Sequence, residues 1–235
     1  FLAGTLLAIA TIKPQMCVLP IGWFALWVFG EWRQRKSMLA GFGAMLTLLI
    51  AASEFFLPGW PLRYPQALAA YSQYTNAKAF LGGVLPSGLI WLVSIIAVFS
   101  VGWLCWRVRR EPADSVWFAI ALAFVLTLTV TVVPTVNAAF NQVLLLPAVL
   151  LTIRYWNVFR RGSTLTRLAL YAAGGCGFLP WGLAFAVVVA RPDPQSIWYL
   201  TMWSAPIFCS FALPVVTLGF LILLSRTLAT QSALP

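Results

Sequence analysis

The chain has 235 residues, of which 62% are apolar and only 9% charged, where a soluble domain carries about 25% charged residues. Fifteen Lys and Arg against five Asp and Glu give a net charge of +10, and in so apolar a chain that excess reports membrane topology rather than nucleic-acid binding. A water-soluble monomer is excluded, and the absence of His removes imidazole general bases, Ser-His-Asp triads and His-based metal sites.

Apolar stretches fall at residues 1–12, 16–30, 38–56, 87–106, 116–133, 143–159, 168–190 and 198–225. Within hydrocarbon a backbone must satisfy its own amides, so each is expected to be a helix. At roughly 20 apolar residues per span the chain reads as an all-α polytopic membrane protein with seven to eight transmembrane helices, forming a single transmembrane domain over 1–235. The start at Phe1, inside an apolar run, reads as the downstream part of a longer protein, and 227–235 as a short cytoplasmic tail.

The first break is Thr11-Ile12-Lys13-Pro14-Gln15. Proline disfavours helix at the residue before it and suits the first position of a new helix, so Lys13 is expected at a junction between two short helices. A charged Lys within a span costs about 2.5–3.5 kcal/mol on insertion scales and calls for a partner, a watery cavity or an escape to the headgroups. The next connection, 31–37, holds Arg33, Arg35 and Lys36. With Arg107, Arg109 and Arg110, then Arg154, Arg160, Arg161 and Arg167, and finally Arg226, alternate loops carry eleven of the fifteen basic residues. The positive-inside rule assigns these loops and the C-terminus to the cytoplasm, and the tryptophans gather near the expected span ends as an aromatic belt.

Glu54 is the only acid inside an apolar run; it can pair with Lys13 or Arg63, orient an acceptor hydroxyl or lie at the interface, and ion pairing is favoured over catalysis. The segment 57–86 is the one long outer loop. Its stretch from Gln66 to Phe80, with Tyr71, Tyr74 and Lys78 at helical spacing, reads as an amphipathic helix at the interface. Glu111 and Asp114 suit the start of the span near Val116, and Asp193 a turn. Residues 134–142 form a polar turn whose amides, Asn141 and Gln142 among them, can bond sugar hydroxyls or phosphate oxygens or cap a helix. Cys17, Cys105, Cys176 and Cys209 are scattered without a ligand spacing and read as small buried hydrophobes.

The Lys13-Pro14-Gln15 break, the basic Arg33-Gln34-Arg35-Lys36 segment, the outer amphipathic stretch and Asn141-Gln142-Val143-Leu144-Leu145-Leu146-Pro147 together resemble the C-terminal half of GT-C glycosyltransferases, most of all bacterial glycosyltransferase family 87, the alpha-mannosyltransferase-like branch. The resemblance implies a GT-C-like partial bundle in the bacterial inner membrane. It implies transfer of a hexose such as mannose from a polyprenyl-phosphate donor to a lipid or glycan acceptor at the outer face. No cofactor or nucleic acid is called for, and the sequence offers no convincing cluster of metal ligands; membrane lipids are the other partners. The family's catalytic acid sits in a first outer loop with no counterpart here, so the resemblance places it upstream of Phe1. Lys13 and Arg63 are then expected to hold the donor phosphate, assisted by Gln15, Glu54, Asn141 and Gln142, with the acceptor along Tyr64, Tyr71 and Tyr74. A transporter or lipid flippase with Lys13 and Glu54 at its site, or a non-catalytic membrane subunit, are the competing readings.

Overall fold

The computed structural model describes residues 1–75, 86–133, 141–160, 162–190 and 195–232, and among these it is helical with no strand. Helices α1 (Leu2–Ala10), α2 (Pro14–Gly30), α3 (Trp32–Phe56), α4 (Trp60–Thr75), α5 (Ser87–Val108) and α6 (Val116–Val132) belong to one compact unit, Phe1–Asn137. The second unit, Ala138–Pro235, holds a 3-10 turn (Gln142–Leu145), α7 (Leu146–Arg154), α8 (Trp156–Arg160), α9 (Thr164–Ala190) and α10 (Ile197–Ser232).

Among the described residues, four stretches are long and apolar enough to cross a bilayer: Trp32–Phe56, Gly88–Val108, Thr164–Ala190 and Ala212–Thr230. Three shorter apolar helices accompany them, Met16–Gly30, Val116–Val132 and Gln142–Arg154. The chain is therefore a helical protein built for the membrane.

In the first unit α6 is the helix most enclosed by its neighbours. It starts where Ser115 caps it, the hydroxyl accepting the Phe118 N–H at 3.1 Å. One side of α6 meets α2 and α5 in a core of Trp23, Cys105, Val108, Phe118, Ala121 and Val125. The Phe118 ring lies 5.7 Å from Trp23 and 5.1 Å from Trp27, in the tilted arrangement that aromatic quadrupoles favour. Helix α1 packs against α3 through glycines: a Cβ on Gly4 would strike the Met38 backbone, and one on Gly41 the backbone of Phe1.

The expected basic connection at 31–37 is not a loop. Arg, Gln and Lys are good helix formers, so α3 begins at Trp32 and the joint shrinks to Glu31, whose φ of −142° lies outside the helical region. This draws Arg35 inward until it is only 9% exposed. Its Nη1 donates to the carbonyls of Trp27 (2.9 Å) and Arg109 (2.8 Å), and its Nη2 to those of Arg110 (3.3 Å) and Glu111 (3.0 Å). Nη2 also pairs with Glu31 at 3.0 Å, and the guanidinium carbon sits 4.0 Å from the centre of the Trp27 ring. The Trp27 indole donates to Glu111 O at 2.9 Å. Trp27 lies in the last turn of α2 and residues 109–111 follow α5, so one side chain meets carbonyls left open by the ends of two helices. Gly30 completes the joint, because a Cβ there would strike the Arg109 backbone.

In the second unit α9 and α10 pack along one another, and Phe159 lies with its ring 4.0 Å from that of Phe220. The apolar run 143–159, expected as one helix, is divided. Pro147 suits the first turn of a new helix, so a 3-10 turn precedes α7, and a second interruption at Tyr155 separates α8.

Replacing Arg35 by Met should leave several buried carbonyls and Glu31 without their donor, at a cost of roughly 3–5 kcal/mol. Lys, lacking the planar fork, should recover less than half of that. Thermal unfolding in lipid nanodiscs checks this, with the exposed Arg33→Ala as the neutral control; equal melting of R35M and R33A would refute the clamp.

Candidate functional site

The break expected at Lys13 is present. Helix α1 ends at Ala10 and α2 begins at Pro14, with Lys13 between them at φ −112°, ψ 79°. Side chains complete the junction: the Thr11 hydroxyl donates to Ala8 O at 2.6 Å, and the Cys17 thiol reaches back across it to Ala10 O at 3.1 Å. Cys17 is thus more than a small buried hydrophobe, since it satisfies a carbonyl that the end of α1 exposes.

Helix α1 runs in the same direction as α3. Phe1 lies beside Gly41, while Thr11 and Ile12 line the same cavity as Leu49, Ala52 and Phe56. Lys13 consequently belongs to the end of this unit where α3 finishes and α4 begins, and the Arg35 joint to the opposite end of α2 and α3.

That cavity has a volume of about 900 Å³. Its floor is apolar, from Ile21, Phe42, Leu46 and Ile50, and its polar atoms come chiefly from Thr11, Ser53, Trp60 and Tyr64. Ile12 and Pro14, the neighbours of Lys13 on either side, both line it, and so does Tyr64, the neighbour of Arg63. Lys13 and Arg63 are exposed. The Trp60 ring meets Tyr64 edge-on at 6.0 Å, and its buried indole N–H finds no acceptor among the described residues.

Glu54 takes a partner that the sequence did not foretell. Instead of an ion pair with Lys13 or Arg63, its Oε1 accepts the backbone N–H of Gly59 at 2.7 Å, closing the turn between α3 and α4. Gly59 has φ +74°, a left-handed conformation that disfavours any residue with a Cβ. Helix α4 starts at Trp60, six residues before the expected Gln66, because Pro61 is accommodated in a first turn whose N–H groups have no helical acceptor.

The structure therefore brings Lys13, Arg63, Tyr64 and Glu54 to one end of the first unit. Asn141 and Gln142 belong to the second unit: Asn141 is buried at 6% exposure, and Gln142 opens the 3-10 turn. The side chains of Gln15, Tyr71 and Tyr74 lie outside the described residues, as do residues 76–80 of the expected amphipathic helix and most of the polar turn at 134–140. Sequence reading missed the cavity, whose wall is formed by ordinary Phe, Leu and Ile. It also missed the turn at Gly59, although an acid five residues before a glycine is a usable signal.

Compared with known proteins, the chain matches no family model, no curated protein and no solved structure.

Glu54→Ala should destabilise the α3–α4 turn by at most about 1 kcal/mol, the net worth of one hydrogen bond, while Glu54→Gln, which keeps an acceptor oxygen, should be nearly silent. Hydrogen exchange at the Gly59 amide measures this directly. Equal acceleration in both variants would show that the negative charge, not the acceptor, is what matters.

Proposed function

We propose that this chain is the membrane part of a glycosyltransferase that takes a hexose from a polyprenyl-phosphate donor and passes it to a lipid or glycan acceptor. The observation that carries the reading is the apolar cavity at the Lys13–Pro14 break, bordered by Ile12, Pro14 and Tyr64, which neighbour the exposed cations Lys13 and Arg63. An amphiphile with an anionic head and a long hydrocarbon tail matches that pairing of surfaces. The tail can lie against Phe42, Leu46 and Ile50, and the phosphate at the level of Lys13 and Arg63. A cation placed there stabilises the charge that grows on the phosphate as the sugar departs. Tyr64, on the same wall, supplies a hydroxyl for orienting the acceptor.

The alternation of basic connections supports an orientation in a bacterial plasma membrane with the cavity end outside and the C-terminus inside. The shorter apolar helices complete seven or eight passages in this reading, where the bilayer thins around them or flanking residues snorkel.

Lys13→Ala, made in the intact protein, should lower sugar transfer from a polyprenyl-phosphate donor by tenfold or more while membrane insertion is unchanged, with Lys13→Arg partly retaining activity. The measurement is radiolabelled sugar incorporation in membranes matched for protein content. Unaltered turnover in K13A would remove Lys13 from the reaction, and lipid or solute flux without any sugar transfer would replace the glycosyltransferase with a transporter.

A further inference from the structure

The Arg35 joint stands where two stretches able to cross a bilayer end: one begins at Trp32 and the other finishes at Val108. Hydrogen bonds from Arg35 to the carbonyls of Arg109, Arg110 and Glu111 hold the two ends together. Exposed aromatic rings accompany the joint. Phe29 and Trp32 stack across it at 5.4 Å with their planes 8° apart, and the Arg109 guanidinium carbon lies 3.7 Å from the centre of the Trp106 ring. Tryptophan at the end of a span belongs to the zone between acyl chains and headgroups. Lys36, Arg107 and Arg110 are exposed at this same end, and Arg109 is half-buried. Carbonyls at helix C-termini ordinarily attract such cations, but here Arg35 already satisfies them, and the Glu31 carboxylate is paired with Arg35 at 3.0 Å. Among the described residues Lys36, Arg107 and Arg110 have no ion-pair partner. Glu111 and Asp114 are the other acids of the joint, so these four cations keep a formal excess of +2. Arg33 stands apart: two residues along a helix amount to about 200°, which turns it from the side of α3 that carries Arg35.

We propose that this end of the first unit is a binding surface for anionic phospholipid, with Lys36, Arg107 and Arg110 holding the headgroup phosphates. A phosphatidylglycerol headgroup carries negative charge and no ammonium, so it suits two guanidinia and an amine that have no carboxylate of their own. A phosphatidylcholine headgroup brings its own cation to the same place and gains little there. The stacked Phe29–Trp32 pair and Trp106 lie against the acyl chains just below, and Arg109, held over the Trp106 ring, adds a fixed positive charge beside them. The buried Arg35 makes the surface possible, because it draws the start of α3 and the end of α5 together and leaves the exposed cations uncommitted. The surface lies at the opposite end of α2 and α3 from Lys13 and does not depend on the glycosyltransferase reading.

The test uses the full chain, purified in detergent and stripped of lipid, then titrated with phosphatidylglycerol or with phosphatidylcholine of the same acyl chains while native mass spectrometry counts the lipid retained. The unaltered chain should hold phosphatidylglycerol about tenfold more tightly than phosphatidylcholine. The triple variant Lys36→Gln, Arg107→Gln, Arg110→Gln, which keeps Arg35, should lose most of that preference, falling to about twofold or less. Arg154→Gln, Arg160→Gln, Arg167→Gln removes the same charge from exposed positions of the second unit and should keep the preference. Circular dichroism and a single elution peak establish that both variants are folded. Millimolar glycerol 3-phosphate, the headgroup chemistry without acyl chains, should leave the lipid bound. Equal retention of the two lipids by the unaltered chain would overturn the proposal, as would a preference that survives in the first triple variant, an equal fall in both variants, or displacement of the lipid by glycerol 3-phosphate.

Discussion

The first unit turns on the burial of one guanidinium. Arg35 reaches four backbone carbonyls, one carboxylate and one indole face, all within the joint where α2 ends, α3 begins and the chain leaves α5. A helix end in an apolar setting leaves carbonyls that neither water nor a further turn can satisfy. Five donors on a rigid plane answer several of them at once, which an ammonium on a flexible stem does not do as well. Helix α2 is thereby tied to the turn leading into α6, while Trp27 and Phe118 continue the same contact into the core.

What that joint fixes at one end of α2 and α3 has a consequence at the other. Helix α3 is 25 residues long and α2 is 17, so with the two held together at Glu31 the longer one extends beyond the shorter. The difference of eight residues amounts to about 12 Å. The start of α4 and the α1–α2 break line the cavity beside this overhang, and Glu54 turns the chain back at Gly59. The cavity thus follows from unequal helix lengths and a tight hinge, and it needs no unusual residue in its wall.

That origin explains what could be read from the sequence. The helices themselves, the break at Lys13 and the meeting of Lys13, Glu54, Arg63 and Tyr64 at one end were legible, because proline geometry and hydrophobic run lengths act locally. The role of Arg35 was not. Composition presented it as one more cation in a basic connection, and its partners at 109–111 are distant in sequence. Glu31 four residues earlier was the one local hint, an i,i+4 pair that makes sense only once the connection is recognised as helix.

Cations in this chain consequently act in different ways according to what lies within their reach. Arg35 meets carbonyls and becomes part of the fold. Arg33, two residues away on the same helix, stays exposed. Lys13 and Arg63 are exposed at the opposite end of α2 and α3, beside a cavity that contributes hydroxyls and aromatic edges but whose nearby acid, Glu54, already bonds to Gly59. The hydrogen bond leaves Glu54 its negative charge, so Lys13, Arg63 and Glu54 together carry a formal charge of +1 at this end of the unit. The turn at Gly59 thus holds that carboxylate in the α3–α4 connection, beside the residues of α4 that line the cavity.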